Sequence, residues 1–243
     1  MKTLKIESAL LEYVKKHIDV LFIVIMTVLA AAIRYYGKDF LGGDMRGYLI
    51  PWHEEFSAKG FAGLKEQVGD YNIPYQILVW LMTLVPIKPI YAYKIVSCFF
   101  DFLMAAAGGK IIKECTGSKA LSVGAYAALL FLPAVIFNSA FLGQSDAIFT
   151  AFVLLAVLQM KKHYFWFFIF LGCAFSFKLQ FVFIIPLFVI CYVCMSKFSV
   201  LNFVLIPLTL MVLSIPAYIA GRPVMDVFKI YFFQVYHTPC PLF

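Results

Sequence analysis

The chain has 243 residues, of which 63% are hydrophobic and 18% aromatic, with a mean hydropathy of +0.91. Only 14% are charged, against about 25% in ordinary soluble domains, which excludes a water-soluble globular protein. The net charge of +7 is not gathered into a basic, aromatic-interleaved soluble segment, so it points to membrane topology and anionic lipid rather than to nucleic acid.

Repeated apolar runs near the roughly 20 residues needed to cross a bilayer predict an all-α, polytopic membrane protein. Residues 1–17 read as an amphipathic basic lead. Ile6, Leu10, Leu11 and Val14 recur at helical spacing, and Lys15, Lys16 and His17 stand at the membrane edge. The lead is long and of mixed charge, with no small-residue cleavage site before Arg34, so a cleavable signal is not expected. A first spanning helix is predicted over 18–36, followed by a large loop, 37 to about 90, that carries Gly, Pro and most of the acids.

The Lys-rich or short polar turns at 110–119, 161–163 and 196–199, together with the lead, belong on the cytoplasmic side by the positive-inside rule. Further spans then fall at 91–112, 119–137, 144–160, 163–178, 180–195 and 199–220, seven helices in all, with residues 221–243 as an external tail. Residues 72–87 are apolar but short. If they crossed, every later loop would invert, so an interfacial or re-entrant piece of the first loop is expected, as Pro74, Pro86 and Pro89 suggest. The six cysteines are scattered and the four histidines form no metal-ligand spacing; Cys191 and Cys194 have CxxC spacing but lack the loop and further ligands of a redox or zinc site, so with Cys98 and Cys173, also in apolar runs, they read as packing residues.

This topology sends Asp44, Arg46, Asp70, Tyr71, Gln144, Asp146, Lys178, Gln180 and Arg222 to outer helix ends or loops. Polar groups at membrane depth are costly, so they line a cavity or pair with one another. Each has a plainer reading too. Asp44, behind Gly42 and Gly43, suits a helix N-cap, and it opens a surface helix whose Tyr48, Trp52 and Glu55 share one side. Asp70 suits a Gly-Asp turn, Ser145 or Asp146 a cap, and Lys178 a snorkelling side chain. Asp101, in the middle of an apolar helix, is expected to pair internally, with Lys94 two turns away as the nearest cation, or to stay protonated.

The ordered set resembles the GT-C superfamily of integral-membrane glycosyltransferases, in particular the lumenal glucosyltransferases of lipid-linked oligosaccharide assembly and the GPI mannosyltransferases. Gly43, Asp44 and Trp52 match the Gly-Asp…Trp pattern after the first helix; Asp70, Tyr71 and Pro74 loosely match an Asp-Tyr-Pro-Pro-like element. Gln144 with Asp146, and Lys178 with Gln180, match the polar elements after the third and fifth helices. The likeness runs from about residue 15 to 220 and implies a seven-helix module, here 1–220, with a large first external loop. It implies Asp44 as catalytic base and Arg46, Asp70, Tyr71, Gln144, Asp146, Lys178, Gln180 and Arg222 as substrate-binding residues. It further implies transfer of a hexose from a polyprenyl-phosphate donor to a glycan or lipid-linked acceptor on the exoplasmic face, with no cofactor and no required metal. Family members continue into a variable block of further helices, whereas this sequence stops at Phe243. A partner chain supplying the missing helices, a catalytically inactive lipid- or glycan-binding subunit, and a transporter are the alternatives.

Overall fold

The structure, a computed structural model, describes residues 5–160, 162–195 and 199–237. Lys161, the 196–198 stretch and the tail from 238 onward, all used in the topology expectation, lie outside the described residues. Every regular element among the described residues is helical. In chain order they are α1 (Lys5–Tyr36), a π-helical turn (Met45–Leu49) running into α2 (Ile50–Lys59), a 3-10 turn (Gly60–Lys65), α3 (Ile73–Thr83) and α4 (Pro89–Thr116). Then come α5 (Lys119–Phe131), α6 (Pro133–Ile136), a second π turn (Phe137–Leu142), α7 (Asp146–Gln159), α8 (Tyr164–Phe177) and α9 (Ile185–Met195, after a 3-10 turn at Leu179–Ile184). A 3-10 turn at Val200–Val204 leads into α10 (Leu205–Leu213), followed by α11 (Ile215–Ile219) and α12 (Asp226–His237).

Two helices are long and apolar enough to cross a membrane, over Glu7–Tyr36 and Pro89–Thr116. At about 1.5 Å per residue, α4's 28 residues reach about 42 Å, beyond a hydrocarbon core of about 30 Å. The kink at His17, φ −113°, divides α1 where the basic lead was expected to give way to the span. The expected span 119–137 is not one rod. Pro133 has no N–H to donate and forces Leu132 into an extended conformation, ψ 121°, so α5 and the Pro133–Leu142 helix meet at 49°; counted as one, they make a third crossing. The remaining apolar helices are 10–17 residues long. Residues 73–83 form an eleven-residue helix, too short to cross, and Ile73, Tyr75, Gln76 and Val79 on it are buried in the protein.

The first loop is a packed cap rather than a tether. Met45, Leu49, Phe56, Leu64 and Ile73 share one apolar cluster with Tyr93 of α4, Ile148 of α7 and Leu210 of α10. Lys94, only 4% exposed, fastens the loop to the end of α1 by donating to three carbonyls, those of Gly37 (2.8 Å), Lys38 (3.0 Å) and Phe40 (2.6 Å). Lys94 is therefore not the partner of Asp101. That carboxylate accepts from Arg34 Nε of α1 at 2.9 Å, with both side chains at 3% exposure or less. A lysine committed to three backbone acceptors has no donor left for a carboxylate two turns along its own helix. The first part of the expected tail also packs: Val227, Ile230 and Tyr231 of α12 belong to the same cluster, and Asn72 donates to Val227 O at 3.0 Å.

The sidedness of α4 is directly measurable. Cys115 is exposed at one end of α4 and Lys88 at the other. A membrane-impermeant maleimide applied to sealed vesicles is expected to label a Lys88→Cys variant and the natural Cys115 from opposite sides, as located by mass spectrometry. Labelling of both from one side would remove α4 as a crossing helix.

A candidate active site at converging helix ends

Four separate stretches of chain meet: Gly42–Trp52, the Gly69–Asp70–Tyr71 turn, the break that precedes α7 and the break that follows α8. Asp44 lies in the helical turn ahead of the first π segment, with φ −63°, and its side chain makes no capping hydrogen bond. It accepts instead from Gln144 Nε2 at 2.8 Å, across a sequence separation of 100 residues. The N-cap role is thus not what Asp44 does. Its carboxylate is exposed, two residues from the exposed Arg46.

Gln144 owes its place to a left-handed turn. Gly143 has φ +69°, a region where a side chain would strain the backbone, and a Cβ there would meet Met45 Cε at 2.6 Å. The backbone amides of Gly143 and Gln144 donate to Ser139 O and Asn138 O, both at 3.0 Å, and Gln144 O accepts from Ser97 Oγ of α4 at 2.7 Å. Two residues on, Asp146 opens α7. It accepts from Asn138 Nδ2 at 2.8 Å and forms an ion pair with Lys178 at the α8 exit. Ser145 makes no side-chain cap either.

The Gly69 turn is held from both sides. Gly69 has φ +71°, and a Cβ there would lie 2.3 Å from the Trp52 indole. Trp52 therefore rests on the turn itself, and its ring sits in a row with Tyr48 (6.0 Å between centroids) and Tyr71 (5.9 Å). Below the turn, Gln67 Nε2 donates to Gly69 O and Tyr71 O, while Gln76 Nε2 donates to Tyr71 O and Gln67 Oε1. Arg222 closes this lattice, donating to Gln76 Oε1, Gln67 Oε1 and Glu66 O. Its side chain is 3% exposed. Arg222 was expected on a substrate; the structure spends its guanidinium on the underside of the first loop and does not bring it to the cavity described next.

Asp70, Tyr71, Asn72, Lys178 and Gln180 line a cavity of about 460 Å³ together with Phe177, Leu179, Val182 and Phe183. Polar and apolar side chains in the wall of one open space suit a molecule that is itself amphiphilic. Burial raises the Tyr71 phenol above its ordinary value, with the Asp44 and Asp70 carboxylates adding to the rise, so the hydroxyl stays a donor throughout the physiological range. Burial pushes the Lys178 ammonium down to about 8. Of the expected residues, Asp44, Asp70, Tyr71, Gln144, Asp146, Lys178 and Gln180 are brought together, Arg46 flanks them, and Arg222 supports them from beneath. Asn138 and Tyr231 were missed. Asn138 had a signal, a lone amide in the apolar FNSAF six residues before Gln144; Tyr231, which lines the cavity from α12, sits in a stretch with no polar pattern to mark it. Among the described residues no group of three or more His, Cys, Asp or Glu side chains is arranged to hold a metal ion.

Comparison of the chain with protein-family models, with curated proteins and with solved structures finds no match.

Gly69→Ala is expected to separate Trp52 from the turn, because the backbone strain and the overlap with the indole act together. The cost is expected at about 1–3 kcal/mol, read as a lower thermal midpoint in detergent with a change in tryptophan emission. Gly117→Ala, also at positive φ but with open space around its Cβ, should leave the emission unaltered.

Proposed function

We propose that the chain is a multi-pass membrane glycosyltransferase of the GT-C kind, with its N-terminus cytoplasmic and its site at the exoplasmic face. It moves a hexose, mannose or glucose, from a polyprenyl-phosphate donor to an acceptor hydroxyl. One observation carries this reading: a solvent-facing carboxylate, Asp44, is tied through Gln144 to the segment that seats the Asp146–Lys178 pair, and Lys178 lines a cavity with both polar and apolar side chains in its wall. A base and a cation linked through one segment of chain beside an amphiphilic space are the two groups that this reaction asks of a protein.

In the proposed step, Asp44 accepts the proton of the acceptor hydroxyl as its oxygen bonds to the anomeric carbon. The bond from that carbon to the phosphate oxygen breaks, and the departing phosphate keeps the electron pair. Lys178 meets the charge that develops there. Attack opposite the leaving group inverts the anomeric configuration. Asp70, Tyr71 and Gln180 supply hydrogen bonds to donor or acceptor, and Val182 and Phe183 offer an apolar surface to the first units of the lipid. The row Tyr48, Trp52, Tyr71 gives flat apolar faces next to the base, where a sugar ring has its own apolar face to bury.

Transfer from a short-chain polyprenyl-phosphate mannose or glucose, with the product's anomeric configuration read by NMR, is the test. Asp44→Asn is expected to lower kcat by roughly 10²–10⁴ while the protein still accumulates and melts normally; full activity in that variant, or retention of configuration, would overturn the proposal. Transfer also depends on pH through Lys178. The ammonium is present below its midpoint and is lost as pH rises through it, so donor KM is expected to climb from about pH 8 upward. Lys178→Arg, which stays protonated, should remove that alkaline climb, and Lys178→Met should show a high KM at every pH.

A further inference from the structure

The two polar branches of the site share one root. Asn138 and Ser139 are neighbours in the π turn Phe137–Leu142. From Asn138, one branch runs through its side chain to Asp146 and on to Lys178. A second branch runs through the Asn138 and Ser139 carbonyls, which hold the Gln144 and Gly143 amides and so aim Gln144 at Asp44. Ser139 itself is fully buried, and its hydroxyl lies against Asp101 Oδ2, the same oxygen that Arg34 Nε engages. Arg34 extends the anchor, donating to Ala30 O (3.2 Å) in α1 and to Leu130 O (3.1 Å) at the end of α5. Three helices are thus pinned to the turn that seats both halves of the site.

A second observation lies on the same line. A cavity of about 210 Å³ has Asp101, Asn138, Asp146 and Thr150 in its lining. Asp101 Oδ1 and Asn138 Oδ1, both buried, have no hydrogen-bond partner within the protein. The ion pair in the apolar phase and the carboxylate at the site therefore border one small polar space, with room for a few molecules the size of water at roughly 30 Å³ each.

We propose that the Arg34–Asp101 ion pair is a positioning element for the site, acting through Ser139 and Asn138 to set Asp146 against Lys178. A widened helical turn has weaker internal constraint than an α-helix, so its register needs an outside anchor, and the pair supplies one that water does not loosen. The importance of this for sugar transfer rests on the reading of Lys178 given above, but the inference concerns the side chain itself and is tested without any transfer assay.

The readout is the pH dependence with which Lys178 reacts with acetic anhydride, followed by mass spectrometry on the full chain in detergent. The groups around that ammonium are Asp146 of α7, Asp70 and Tyr71 of the first loop, Gln180 beside it and Tyr231 of α12. Arg34 and Asp101 are replaced together by leucine, since removing both charges avoids leaving one buried without its partner. Loosening of Asp146 is expected to lower the reaction midpoint of Lys178 by about one pH unit, which is about tenfold faster labelling at a fixed pH below the midpoint. Asn138→Ala should give the same shift by cutting the other end of the relay, and the triple variant should shift no further than Asn138→Ala alone. Ser139→Ala, which leaves the ion pair in place, provides the same measurement if the leucine pair does not accumulate. An unchanged Lys178 midpoint in a folded leucine pair or in Ser139→Ala would overturn the inference, and so would additive shifts in the triple variant. Loss of transfer activity with an unchanged midpoint would bear on the proposed reaction and not rescue this one.

Discussion

A carboxylate in the middle of an apolar helix bundle has to be answered by a charge from inside the chain, and here Asp101 is answered by Arg34. The pair crosses from α4 to α1, and each partner reaches a further element, Ser139 on one side and Leu130 O on the other. Breaking such a buried pair by removing one partner costs about 3–5 kcal/mol, because the remaining charge is stranded. That cost does not make the pair a large net stabiliser; an apolar substitute of similar volume could hold the helices as well. What an apolar substitute lacks is direction. Arg34 presents its donors in a fixed planar fork, so the positions of α1, α4, α5 and the Phe137–Leu142 turn become mutually dependent.

The same logic explains why the first loop, though irregular, is a rigid part of the molecule. Its backbone carbonyls at Gly37, Lys38 and Phe40 would be buried acceptors without Lys94, and its Gln67 and Gln76 amides would be partly unmatched without Arg222. Each cation saturates one end of the loop. Between them, Trp52 rests on Gly69 and leaves no space for a side chain there. A loop fixed at both ends and wedged in the middle can hold Asp44 and Tyr71 at constant separation from residues on α7 and α8.

Much of this was readable from the order of residues. Apolar run lengths located α4, α7, α8 and the C-terminal end of α1 to within a few residues, because the polar residues that bound an apolar run also bound the helix it forms. The convergence of Asp44 with Gln144, and of Asp146 with Lys178, was readable for a different reason: polar side chains at the ends of apolar helices have few places to go except towards one another. Other contacts left no trace. Lys94 binds main-chain carbonyls, which every residue possesses, so no side-chain pattern marks its partners. Arg34 lies 67 residues from Asp101, and Lys94 stood nearer in sequence on the same helix, so proximity along the chain pointed the wrong way. Pro133 was visible, but the bend it makes is a matter of how Leu132 is forced to extend, and run length alone overlooks that.

Arg222 and Lys178 look alike in a sequence, two cations at outer helix ends, and the difference between them is one of saturation. Arg34, Lys94 and Arg222 are each 5% exposed or less, and each donates to several acceptors of the protein itself, Arg222 through its two terminal nitrogens while its Nε has no hydrogen-bond partner. A side chain in that condition cannot turn to a ligand without leaving buried acceptors unmatched, which is why such cations build and do not bind. Lys178 is less deeply placed, at 13% side-chain exposure, lines an open cavity that Asp70 also lines, and pairs with Asp146, a carboxylate that is itself 44% exposed. An ammonium held by an exposed carboxylate and not by buried main-chain acceptors keeps capacity for a further anion. Burial therefore sorts the charged residues of this chain into those that fix the cap and those left facing the cavity, a division that a count of charges along the sequence does not make.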